Sequence, residues 1–129
     1  MTQVILVCLA CTFAEYSRLG QLETALNETL QTQCFGEKMS AQGVPYSWIE
    51  KLQNASRDIP LHYYFADNRT VGYMNPGQDD VYLNRKFHDS FSTCKQASNI
   101  AHELSHILGY RHLADVAYAT NYSFEACCF

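Results

Sequence analysis

The stretch SNIAHELSHILGYRH, Ser98 to His112, holds three of the chain's five histidines. A glutamate follows the first, and a glycine separates the second from the third. Thr93, with Gln96 three residues on, reads as the capped start of a helix. Gly109 reads as its C-terminal stop. On that helix His102 and His106 are i and i+4, so they leave one face a single turn apart. Two imidazoles so placed can meet one zinc ion. Glu103 falls on the neighbouring edge, where it can reach a water beside the metal without ligating it. Gly109 allows a sharp turn with positive φ, and His112 then swings back as a third ligand. Three neutral histidines leave the metal's charge intact and a fourth position open, the pattern of a catalytic zinc rather than a structural one.

Any one helix histidine is more often capped or solvated than metal-bound. The joint pattern is harder to dismiss. With this composition HExxH arises by chance in roughly one chain in a hundred, and the added glycine and histidine reduce that to roughly two in a hundred thousand.

HELSHILGYRH resembles the HExxHxxGxxH signature of the metzincin zinc endopeptidases at every defining position. The resemblance covers residues 78–112. It implies zinc on His102, His106 and His112, and Glu103 as general base in peptide hydrolysis. It also implies that VYLN, Val81 to Asn84, is the edge strand along which an extended peptide or protein substrate lies. Two departures stand against the family pattern. No methionine follows Met74, so the family's methionine turn beneath the metal is missing or built differently. The chain after His112 is also short, so specificity pockets of the lower subdomain do not carry over.

The 129 residues are one domain's worth, and 47% hydrophobic against 17% charged residues is a folding composition. Net charge is −4 with no basic stripe, which argues against a nucleic-acid partner. The expected state is a monomer. The only long apolar run, Val4 to Ala14, is too short to span a bilayer. No Lys or Arg precedes it, so a buried strand is expected there rather than a leader.

Six cysteines point to an oxidising compartment, secreted or periplasmic. Cys34 and Cys94 are expected to pair with Cys127 and Cys128, in either order. Cys8 and Cys11 read as two buried thiols, since no second CxxC pair accompanies them. The Asn-x-Ser/Thr triplets at Asn27, Asn54, Asn68 and Asn121 read as turn and cap residues before they read as glycan acceptors.

Leucines at 19, 22, 26 and 30 predict a long helix over Glu15–Phe35. A capping-box pattern at Ser47 and Glu50 predicts a short helix over Trp48–Ala55. Strands follow at Ile59–Asn68, Val71–Asn75 and Val81–Asn84, then a loop from Arg85, the Thr93–Gly109 helix, and a last helix over Ala117–Cys128. This order predicts an α+β, zincin-like domain: a twisted, mostly antiparallel sheet of three or four strands, backed by the first helix and the zinc helix.

Among the remaining polar residues, His88 is expected to be a surface-loop histidine bonded to Asp89 or to backbone. His62 is expected in the core or at a sheet edge. Asp115 either orients a ligand imidazole or caps the last helix. Tyr118 and Tyr122 read as core before they read as oxyanion-stabilising phenols, and Arg85 and Lys86 as a solvated rim. The expected function is a zinc-dependent endopeptidase. The alternative is a non-proteolytic zinc-binding domain that has lost its substrate cleft.

Overall fold

The computed structural model describes residues 3–75, 77–109 and 116–129. It is an α+β fold with six helices and one four-stranded sheet among those residues. Strand β1 (Val4–Leu9) leads into helices α1 (Phe13–Leu30), α2 (Gln33–Ala41) and α3 (Tyr46–Gln53). Strands β2 (Arg57–Tyr64), β3 (Gly72–Met74) and β4 (Val81–Asn84) follow. Then come α4 (Arg85–His88), α5 (Thr93–Ile107) and α6 (Val116–Cys127).

The sheet order is β1-β2-β4-β3. The pairings β1–β2 and β2–β4 are parallel and only β3–β4 is antiparallel. The expectation of a mostly antiparallel sheet is therefore corrected to a mixed one. Three helices separate β1 from β2, and so long a crossover permits parallel pairing, whereas the short β3–β4 link does not. VYLN is a strand, but an interior one. The antiparallel edge belongs to Gly72–Met74.

Strand β1 is half-buried, not buried throughout. Val4 and Leu6 enter the core, while Ile5, Val7 and Leu9 face out. Its outer backbone edge is occupied by α1. Asn27 accepts from Val4 N at 2.8 Å and donates to Val4 O at 2.7 Å, and Glu23 accepts from Leu6 N at 3.1 Å. An edge closed this way offers little template to a foreign strand. Asn27 is accordingly a buried structural residue.

The predicted long first helix is two helices. Thr12 caps α1 in a full capping box with Glu15. Leu22, Leu26 and Leu30 are buried along its inner face. At Thr32 the hydroxyl accepts from Phe35 N at 3.1 Å and restarts the chain as α2. A threonine side chain that competes for backbone donors favours such a break. Pro45 rather than Ser47 stands at the N-cap of α3, because its fixed φ suits a helix entrance. Ser92 rather than Thr93 caps α5, and Gln96 donates to Phe91 O at 2.9 Å instead of closing a capping box.

The core lies between the inner sheet face and the helices. Ile59, Leu61, Val81 and Leu83 meet Leu22, Leu26, Phe35, Ile100, Leu104 and Phe124. Three disulfides fasten this small domain. Cys34–Cys127 and Cys94–Cys128 tie α6 to α2 and α5 and resolve the open pairing order. Cys8 and Cys11, expected as buried thiols, are bridged to each other and half-exposed. Three residues apart around a turn, with Ala10 between them at φ 57, they meet across the bend that leads into α1.

Candidate metal centre and cleft

Helix α5 carries the histidine pair and α6 orients it. His102 Nε2 and His106 Nε2 are 3.2 Å apart. Two nitrogens each about 2.0–2.1 Å from one tetrahedral zinc stand roughly 3.3 Å apart, so this spacing fits a shared metal ion. The other ring nitrogen of His102, Nδ1, lies 3.0 Å from the carbonyl oxygen of Ala117. A carbonyl only accepts, so Nδ1 carries a proton, and in the neutral ring Nε2 presents its lone pair. A backbone carbonyl on the far ring nitrogen is the usual second partner of a metal-ligating histidine. Ser105 adds a bond from its Oγ to the His102 carbonyl at 2.6 Å.

Glu103 is buried beside the pair. Burial pushes its carboxyl up to about 7. The helix terminates as the sequence predicts, with Gly109 at φ 115. A Cβ there would touch Trp48 Cη2 at 3.5 Å. His112 and Asp115 lie outside the described residues. Among the described residues no three His, Cys, Asp or Glu side chains gather around one point.

His102 and Glu103 open onto a cleft of about 260 Å³. Its walls are Val71 and Gly72 at the β3 edge, Asn99 on α5, and Tyr118 and Asn121 on α6. Tyr118 is exposed, with its ring centroid 5.9 Å from that of His102. Tyr122 is exposed as well. Neither is the core residue expected. Asn121 Nδ2 donates to Ser98 Oγ at 2.9 Å, Ser98 O at 3.3 Å and Asn99 Oδ1 at 3.3 Å. Its amide is thus a clamp between α6 and α5.

Ala117, Asn121 and Gly72 had no signal in the sequence. A backbone carbonyl has no residue type, and the other two act only through tertiary placement. Asn99 had a faint one, since it sits one turn before His102 on the same helical face.

The remaining polar residues fall into two groups. His62 is half-buried on the outer sheet face, with Nε2 2.7 Å from Asp80 Oδ2 and its ring stacked on Tyr82 at 4.6 Å. His88 is not a surface histidine. It is 1% exposed, and neither ring nitrogen has a partner. Burial, with Lys95 nearby, lowers it to about 4. Arg85 is no rim residue either: it forks onto Glu15, Nε to Oε2 at 2.8 Å and Nη2 to Oε1 at 3.0 Å. Lys86 does sit at the surface, bonded to Asp67 at 2.7 Å.

No protein-family model, curated protein or solved structure matches the chain.

Proposed function

We propose that this protein is a zinc-dependent endopeptidase, with the metal held by His102, His106 and His112. The observation that carries the reading is the 3.2 Å separation of the two Nε2 atoms within the HExxHxxGxxH signature. The Ala117 carbonyl on His102 Nδ1 supports it, since in the neutral ring it leaves the lone pair on Nε2. When bound, zinc supplies Lewis acidity that polarises a scissile carbonyl and acidifies water. Glu103 takes the proton of the attacking water and returns it to the leaving amine. Its burial suits a base that holds a proton during turnover. The β3 edge at Gly72 is the wall along which an extended peptide lies. Three disulfides are compatible with an oxidising location, and we assign the protein to a secreted or periplasmic setting. No helix among the described residues is long and apolar enough to cross a membrane.

A non-proteolytic zinc-binding domain is the second reading. The observation favouring it is the cleft volume of about 260 Å³, just under the roughly 300–1,000 Å³ of common ligand pockets. Metal analysis and a peptide-library digest of wild type and Glu103→Gln separate the two. Proteolysis requires one zinc in both proteins and cleavage only by wild type. Zinc without cleavage by wild type selects the binding domain, and a protein without zinc excludes both.

A further inference from the structure

A second cavity, of about 210 Å³, lies at the carboxyl ends of the three parallel strands. Open sheets bind ligands in such crevices. Thr12, Ala14 and Glu15 reach it from the cap and first turn of α1, Tyr63 from the end of β2, and Arg85, His88 and Asp89 from the segment after β4. Arg18 and Gln96 complete the lining. Gln96 lies two turns before Glu103 on α5, roughly 10 Å along the axis, so this cavity is separate from the candidate metal cleft.

Its polar groups are unevenly used. Both Glu15 oxygens are taken, Oε1 by Thr12 N and Arg85, Oε2 by Arg85. The Gln96 amide donates to Phe91 O. Three groups remain with donor capacity. Arg18 makes one bond, from Nη2 to Phe91 O at 3.2 Å, and its guanidinium pairs with no carboxylate among the described residues. Tyr63 is buried, and its hydroxyl makes no hydrogen bond among the described residues. His88 is 99% buried with both ring nitrogens unpartnered. A buried polar group left unsatisfied costs about 1–3 kcal/mol. The amino end of α1, an 18-residue helix, faces the same space and favours negative charge there.

We infer that this cavity is a binding site for a small monocarboxylate, held by Arg18 with Tyr63 and His88. A planar carboxylate matches the guanidinium fork. A single negative charge suits the lining, because Glu15 is taken by Arg85, Arg18 is left to meet one carboxylate, and Asp89 on the same wall repels a second negative charge. The volume is that of about seven waters at roughly 30 Å³ each, which limits the ligand to a few heavy atoms.

The test is histidine-ring NMR on the full, disulfide-intact chain at constant ionic strength and pH 7, titrating sodium acetate against sodium chloride. The site predicts a saturable shift of the His88 ring signals with acetate, none with chloride, and at least tenfold weaker binding of inorganic phosphate. Arg18→Gln should weaken acetate binding at least tenfold while the His102 and His106 signals stay in place. Tyr63→Phe, which removes only the hydroxyl, should weaken it several-fold and covers the case that Arg18→Gln does not fold. A response to acetate that never saturates, equals that to chloride, or survives both substitutions means a water-filled cavity and overturns the site. Phosphate binding tighter than acetate overturns the ligand class.

Discussion

The Nδ1 of His102 and the carbonyl oxygen of Ala117 are 3.0 Å apart, so the last helix sets the tautomer of a histidine on the helix before it. The pair of Nε2 atoms then faces one point with a lone pair from His102 and a matching nitrogen from His106. His106→Ala should therefore lower zinc affinity by a hundredfold or more, measured by chelator competition, while circular dichroism stays unchanged. Undiminished affinity in that variant would show that the metal lies elsewhere.

The disulfides give a prediction that is independent of the metal. Denatured but unreduced protein should show no reactive thiol. Replacing both Cys34 and Cys127 by serine opens a link across 93 residues. The chain-entropy treatment of so long a loop gives a loss of about 3–5 kcal/mol. A urea midpoint unchanged from wild type would contradict it.

His88 makes stability depend on pH in a fixed direction. Its folded value is lowered to about 4 by burial and then by Lys95, against about 6.5 in the unfolded chain. Above that range both states are neutral and the residue contributes nothing. As pH falls from about 6.5 towards 4 the unfolded chain gains a proton that the folded one refuses, and stability drops by roughly 3 kcal/mol in total. His88→Phe should flatten this part of the stability profile, because a phenyl ring keeps the contact with Phe91 and cannot titrate. A variant profile parallel to wild type would assign the acid sensitivity to other groups.

Two glycines should respond oppositely to alanine. At Gly72 a Cβ would meet the Tyr82 carbonyl oxygen at 2.8 Å, and backbone cannot swing aside. Gly72→Ala should cost about 1–3 kcal/mol and reduce any peptide hydrolysis, because the strand that must move forms the cleft wall. At Gly20, exposed inside α1, a Cβ meets nothing within 4 Å. Gly20→Ala should stabilise by about 0.5–1 kcal/mol. Thermal melts of the two variants shifting in the same direction would contradict this account.

Local rules carried the sequence reading far. The α+β class, the three later strands, the helix bearing His102 and His106, its end at Gly109 and the staples from Cys34 and Cys94 to the terminal cysteines all follow from periodicity, capping residues and spacing. Each depends on neighbours a few residues away, or on counting thiols. Tertiary structure alone decided the parallel pairing of β1, β2 and β4. The α1–α3 crossover sets the direction of β2 and the return through β3 sets that of β4, and no residue of VYLN records it. It also decided that β3 is the edge strand, that Asn27 and Glu23 close the opposite edge, and that His88 is buried without a partner while Arg85 is drawn onto Glu15. The orienting partner of His102 is a backbone carbonyl brought from α6, and such a group is identical in every residue type until the chain is folded.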